Sequence, residues 1–275
     1  MNDLLSPRLP ELLARQPAVQ VRVARTEGSA PRGAGTVMLV FPREVFGTIG
    51  GGQLEFQAIE QARERLRGTA PADAEPVRYP LGPSLGQCCG GVVWLAYERI
   101  EPTGAAAWID QLQGAQQPVA LFGGGHVGRA LVRVLATLPF RITWIDSRDE
   151  IFPPGLPPQV RCEQSDPVQA AVADLPAGAL VLIMSFSHAE DLDIVAACLR
   201  RRRERADLPF VGLIGSRTKW ATFRSRLRQR GFDDGELAGV TCPIGIPGIR
   251  GKEPEVIAVS VAAQLLQRQA GAEAA

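Results

Sequence analysis

The chain has 275 residues, with 30 Lys+Arg against 29 Asp+Glu and a formal net charge of +1. That balance argues against a protein working mainly by whole-surface attraction to nucleic acid phosphates, which needs a basic excess. At 45% hydrophobic and 21% charged, the chain is not disordered overall and is long enough for two cores. Only Lys219 and Lys252 are lysines, so 28 of the 30 cations are arginine. Such a uniform bias reads first as GC-rich coding and only second as anion binding.

The N-terminal residues carry no apolar run of signal-peptide length. No stretch approaches the roughly 18 apolar residues of a membrane span. Five cysteines, an odd number with an adjacent Cys88–Cys89 pair, read as reduced thiols in a cytoplasm rather than a disulfide framework. Neither a membrane nor a nucleic acid is an expected partner.

In chain order, residues 4–16 predict an amphipathic opening helix and residues 20–25 alternate as a strand. A loop, Glu27-Gly-Ser-Ala-Pro-Arg-Gly-Ala-Gly35, follows. Residues 36–41 and 45–49 predict a hairpin across Pro42–Glu44. Gly50-Gly-Gly52 leads into a helix over 53–67, with Leu54, Ala58, Ile59, Ala62 and Leu66 on one face. Residues 68–80, rich in Ala and Pro, read as a surface connection. Residues 81–91 form a second Gly/Cys loop before a strand over 92–97, and residues 104–117 read as a short helix and linker.

From Pro118 the texture changes. Strands over 119–122, 141–146, 179–185 and 210–214 alternate with helices near 126–138, 166–174, 190–203 and 217–230, then a last helix over 254–267. This alternation predicts a parallel sheet with helices on both faces. The expected boundaries are residues 1–103 for an N-terminal α/β domain of short strands and Gly-rich loops, 104–117 for the linker, and 118–275 for a Rossmann-like C-terminal domain. Trp220, Phe223 and Leu227 read as core, and Cys162 and Cys198 as core or strand-edge residues. The run Arg200–Arg205 reads as a solvated helix end whose cations suit the dipole.

Gly123, Gly125 and Gly128, between a strand and a helix, match G-x-G-x-x-G. The first allows the tight turn, the second lets a pyrophosphate approach, and the third lets helix and strand pack. Asp146 ends the next strand, where a ribose-binding acid is expected. His126 sits in the loop itself. His188 follows a strand end, where open α/β sheets place ligands; the plainer reading there is Ser187 or a neighbouring acid capping the next helix. A dinucleotide is therefore a candidate ligand. No constellation for hydride transfer is visible, and there is no Tyr-x-x-x-Lys.

Several motifs in one order carry a wider likeness: Gly28-Ser-Ala-Pro-Arg-Gly33, Gly47-Thr-Ile-Gly-Gly-Gly52 with Glu55, Gly86-Gln-Cys-Cys-Gly-Gly91, the Gly123 fingerprint, Asp146-Ser-Arg148, Gly212-Leu-Ile-Gly-Ser-Arg217 and Cys242-Pro-Ile-Gly245. Together they resemble the XdhC/CoxI family over nearly the whole chain, and Gln-Cys-Cys-Gly-Gly resembles its xanthine dehydrogenase branch. The run Ile246–Lys252 departs from the family pattern, which has glycine and a small polar residue leading into Pro-Glu. The resemblance implies a chaperone that binds the molybdenum cofactor (molybdopterin), holds it during sulfuration and delivers it to xanthine dehydrogenase. It implies no turnover of the chain's own. The implied partners are the molybdenum subunit of xanthine dehydrogenase, a cysteine desulfurase and cofactor biosynthesis proteins, and the implied assembly is a homodimer.

On that reading Arg32, Gly50, Gly51, Gly52, Glu55, Gln87, Cys88, Cys89 and Gly90 form the candidate cofactor site, joined by Gly123, Gly125, His126, Gly128, Asp146 and His188. Thiolates are soft ligands, so Cys88 and Cys89 are candidates to ligate molybdenum or carry sulfur. Against this, free cysteine is among the most buried residue types. Arg32 suits a phosphate or pterin contact, and its plain reading is an exposed loop arginine. Glu55 also fits simple complementarity to a helix dipole. Arg148 and Arg217 are the other arginines inside Gly-rich motifs. The rival functions are an NAD(P)-dependent oxidoreductase and a docking protein whose loops hold only protein contacts.

Overall fold

The computed structural model describes residues 4, 6–68, 75–82 and 90–273, the last four by backbone alone. The chain divides into two compact units, Met1–Leu112 and Gln113–Ala275.

The first unit is built on an antiparallel five-stranded sheet in the order β3-β2-β1-β5-β4. Its strands are β1 (Ala18–Glu27), β2 (Val37–Val40), β3 (Val45–Gly47), β4 (Val77–Pro80) and β5 (Val92–Ile100). The central β1–β5 pair runs from Ala18 opposite Ile100 to Glu27 opposite Val92. Side chains alternate across a strand, and the alternation here feeds two cores. Val19, Val21, Met38 and Val40 pack with Leu54, Ala58 and Ala62 of helix α2 (Gly52–Leu66). Leu39 and Phe41 join Leu9 and Leu13 of helix α1 (Arg8–Leu13) and Trp108 of helix α3 (Ala105–Gly114). Trp108 Nε1 donates to Gln20 Oε1 at 2.6 Å.

The hairpin and the α2 helix follow the sequence expectation, and three other elements differ. The opening helix covers only Arg8–Leu13, because Ser6 and Gln16 each precede a proline and are biased away from helix. Residues 77–80, expected as connection, form β4, whose buried Tyr79 shares a 2.7 Å hydroxyl–hydroxyl hydrogen bond with Tyr97. Residues 105–114 form a full helix, with Ala105 and Trp108 buried in the first unit.

The second unit holds a parallel six-stranded sheet in the order β11-β10-β9-β6-β7-β8. The strands are β6 (Gln117–Phe122), β7 (Phe140–Asp146), β8 (Val160–Gln164), β9 (Leu180–Ile183), β10 (Phe210–Leu213) and β11 (Val240–Thr241). Counted from β6 as first, this is the 3-2-1-4-5-6 order of doubly wound nucleotide folds, with its switch point between β6 and β9. The strands β9 and β10 are buried throughout, as a sheet covered on both faces requires. One face packs on α5 (His188–Arg205), α6 (Arg217–Gln229), α7 (Asp234–Ala238) and the 3-10 segment Val168–Asp174. The other packs on α4 (His126–Leu135) and α8 (Pro254–Glu273). Phe223 and Leu227 are core as expected, and Trp220 is half-buried against them. Cys198 is buried and Cys162 half-buried.

The arginine run corrects one expectation. Arg201 is only 6% exposed. Its guanidinium bonds the carbonyls of Val172 and Leu175 and forms a two-pronged pair with Asp207 at 3.0 and 2.7 Å. A buried arginine persists because every donor meets an acceptor. Among the described residues no helix is long and apolar enough to cross a membrane.

Candidate functional site

Each unit gathers its own glycine loops. In the first unit, Glu55 sits in the opening turns of α2, where backbone amides lack intrahelical acceptors. Its Oε2 accepts from the amides of Ile49 at 2.9 Å and Gly51 at 3.1 Å, and from the Thr48 hydroxyl. The Gly50–Gly52 turn, expected as part of the cofactor site, therefore already spends the Gly51 amide on an internal carboxylate.

The loops of this unit close on one another. A Cβ on Gly50 would run into Pro31 of the 28–33 loop. A Cβ on Gly28 would lie 3.2 Å from the Gly91 Cα, and one on Gly91 would strike the carbonyls of Ser29 and Glu27. Only glycine permits such approach. The 28–33 loop thus lies against both Gly50 and Gly91. Arg32 is exposed on it, and no hydrogen bond or ion pair holds its side chain among the described residues. Gly51 and Gly90 have open space at the Cβ position. Gln87, Cys88 and Cys89 lie outside the described residues.

In the second unit, the fingerprint loop follows β6 at the switch point. A Cβ on Gly123 would collide with the Met184 carbonyl, and one on Gly128 with the Gly123 carbonyl. Gly125 is exposed and has open space, and His126, also exposed, begins α4. The close packing at Gly123 and Gly128 is what the fingerprint requires of its first and third glycines. The middle residue, Gly124, is covered by Ile151, and its amide donates to Asp146 Oδ2 at 2.6 Å.

Asp146 ends β7 and is 2% exposed. Arg148 grips it through Nε–Oδ1 and Nη2–Oδ2, both at 2.9 Å, and the Arg148 amide adds a third bond at 2.9 Å. Burial pushes the Asp146 carboxyl up, but these hydrogen bonds outweigh it and hold the group below its ordinary value of 3.8. A depressed carboxylate stabilises the fold above its unfolded pKa, and that contribution fades as pH falls through the lower folded value. Comparing wild type with Asp146→Asn in urea at pH 7, 4 and 3, the gap between them is expected to be full at pH 7. It should narrow below about pH 4, near the unfolded pKa. A gap that widens as the pH falls contradicts this assignment.

His188 is exposed in the first turn of α5, its ring edge-on to Phe223 at a centroid distance of 6.2 Å. Ser187 caps that helix through the Glu190 amide at 3.2 Å, as the plainer reading has it. Behind it lies a group the sequence reading missed. Asp191 accepts from the Ser185 amide and hydroxyl at 2.8 and 2.7 Å. Lys219 pairs with Asp191 at 2.6 Å and donates to the Ile214 carbonyl at 2.9 Å. The one available signal was that Lys219 is one of two lysines in an arginine-rich chain. Burial pushes the neighbouring Cys242 thiol up to about 11, Lys219 opposing and Asp191 adding to it, so Cys242 is a protonated thiol at neutral pH.

The loop after Cys242, where the motif departs from the family pattern, is pinned to α8. Ser260 accepts from the Ile246 amide, and Gln264 bonds both polar groups of the Gly245 backbone. It encloses a cavity of about 430 Å³ bordered by Arg217, Ile244, Ile249 and Ser260. Among the described residues no group of three or more His, Cys, Asp or Glu is placed to hold a metal ion.

Comparison with known proteins agrees with this architecture. The uncharacterized protein YqeB of Escherichia coli K12 is 26% identical over 253 residues, covering 91% of this chain. The chain spans only 43% of the length of that relative. A crystal structure described as a xanthine dehydrogenase from Bacillus halodurans superposes with a TM-score of 0.76 at 20% identity. That match covers 97% of this chain and 95% of the other, and at that identity it speaks for the fold alone. The family model described as the XdhC Rossmann domain matches residues 119–265, more than half of the chain. A second model, XdhC and CoxI family, matches residues 12–79. The chain therefore belongs to the XdhC/CoxI family.

Proposed function

We propose that this chain is an accessory protein that binds the molybdenum cofactor, holds it during sulfuration and delivers it to xanthine dehydrogenase. The observation that carries the reading is the closure of the 28–33 loop onto Gly50 and Gly91 in the first unit. It supports a single glycine-lined surface that carries Arg32, and the Cys88–Cys89 pair adjoins Gly90 in the sequence.

The cargo is a pterin dithiolene with a phosphate and an oxo-molybdenum centre. Arg32 supplies a planar cation for the phosphate or the pterin. The open backbone at Gly51 and Gly90 allows close approach of a flat ring system. Glu55 acts through the backbone: by accepting from Ile49 and Gly51 it fixes the turn that presents this surface. Cys88 and Cys89 are the soft ligands or sulfur carriers.

A maturation assay tests the thiols. With a Cys88→Ala/Cys89→Ala chain, co-produced xanthine dehydrogenase should retain its protein level but lose most of its activity. Its molybdenum centre should stay unsulfurated. Full dehydrogenase activity with that variant removes the cysteines from the function and favours a docking protein whose loops hold only protein contacts.

A further inference from the structure

We infer that the crevice at the β6–β9 switch point takes a nucleotide bearing a phosphate on its ribose, in preference to one with free ribose hydroxyls. This concerns the second unit alone and goes beyond the proposed function, whose named contacts all lie in the first unit.

The argument begins with the lone pairs of Asp146. A carboxylate offers about four acceptor sites. Here Oδ1 receives the amide and Nε of Arg148, and Oδ2 receives the Gly124 amide and Arg148 Nη2. The acid that would take a ribose diol in a dinucleotide fold is therefore full. A free 2′-hydroxyl brought to this position finds no acceptor, and an unpaired polar group there costs binding.

What the crevice presents instead is the other edge of Arg148. Its side chain is 33% exposed. Nη1 has no acceptor among the described residues. The guanidinium lies 4.6 Å from the centroid of the Phe186 ring, and Phe186 is 67% exposed although large and apolar. A fixed, half-open guanidinium over an exposed aromatic ring is suited to a phosphate beside a stacked base. Glu190 is the other acid that acts on Arg148 besides Asp146. It is itself occupied, accepting from the Ser147 hydroxyl at 2.7 Å and the Phe186 amide at 3.1 Å. It thereby holds Phe186 in place.

The pyrophosphate end remains open. Gly125 is exposed with free space, and the first-turn amides of α4 begin at His126. The same loop contacts β9 through Gly123 and Met184, which brings the two halves of the crevice together. Fold order, glycine spacing, a saturated acid and a half-open arginine point to the same ligand class, a 2′-phosphorylated dinucleotide.

The test is calorimetric titration of the full chain, free of molybdenum cofactor, with NADP+, NAD+, 2′-phospho-ADP-ribose and ADP-ribose. The phosphorylated member of each pair should bind at least tenfold more tightly. Arg148→Ala should bring that ratio close to one, because it removes the phosphate contact and frees Asp146 for hydroxyls. Equal or tighter binding of NAD+ overturns the inference, as does no binding of either phosphorylated ligand at millimolar concentration. Should Arg148→Ala fail to fold, the wild-type ratios decide alone. Molybdenum loading is read separately, so failure here leaves the carrier reading intact.

Discussion

Gly123→Ala should destabilise the second unit by at least about 3 kcal/mol, from a strained backbone and an overpacked contact added together. Gly123 has φ of +123°, and its Cβ would meet the Met184 carbonyl across the switch point. That carbonyl cannot retreat freely, because Met184 donates its own amide to the Phe122 carbonyl at 2.8 Å. The Gly123 carbonyl is also engaged, accepting from buried Trp144 at 2.9 Å. A control separates strain from crowding. Gly155 also has positive φ, at +72°, but open space around its Cβ. Gly155→Ala should cost only about 1 kcal/mol. Urea denaturation of both variants reads the difference. Equal losses would mean that the Gly123–Met184 contact is not a constraint.

Lys219→Met is expected to cost about 3–5 kcal/mol, the range for breaking a buried ion pair by removing one member. The pair is well shielded, with side-chain exposures of 12% for Lys219 and 3% for Asp191. Removing the lysine leaves Asp191 charged and buried, its carboxylate bonded only to Ser185 among the described residues. Adding Asp191→Asn should recover much of the loss, since the amide oxygen still accepts from the Ser185 backbone and no charge remains. Thermal or urea unfolding of the single and double variants checks both values. A single-variant loss below about 1 kcal/mol is the surface-pair result and would contradict the burial argument.

Much of the second unit is readable from the chain because its signals are local. A buried strand between glycines, an acid at the next strand end and alternating helices are all encoded within about 30 residues. The elements missed have weak local signals. β8 lies at one sheet edge with mostly half-exposed side chains, so neither alternation nor an apolar run marks it. β11 has two residues. β4 follows an Ala/Pro-rich stretch and ends in a proline, which edge strands tolerate. Arg201 was read with its neighbours as a solvated cation because the acceptors that bury it come from residues 172–175 and Asp207.

The candidate site was legible in its types and less so in its pairings. That glycines occupy the loops is plain from sequence; that Pro31 lies on Gly50 and Gly28 on Gly91 is a tertiary fact. Glu55 was read as a cofactor-site residue or a complement to the helix dipole, and its carboxylate stitches the preceding turn. Asp146 was expected to face a ribose, and only the three-dimensional structure reveals that Arg148, two residues on, fills it.

The proposed carrier function is tested most directly by what the chain holds. Co-expression with cofactor biosynthesis, anaerobic isolation and metal analysis should give close to one molybdenum per chain. Acid oxidation of the same sample should release fluorescent pterin in matching amount. Arg32→Ala should lower both together while the protein stays folded. Neither molybdenum nor pterin on the anaerobically isolated wild-type chain would contradict the proposal.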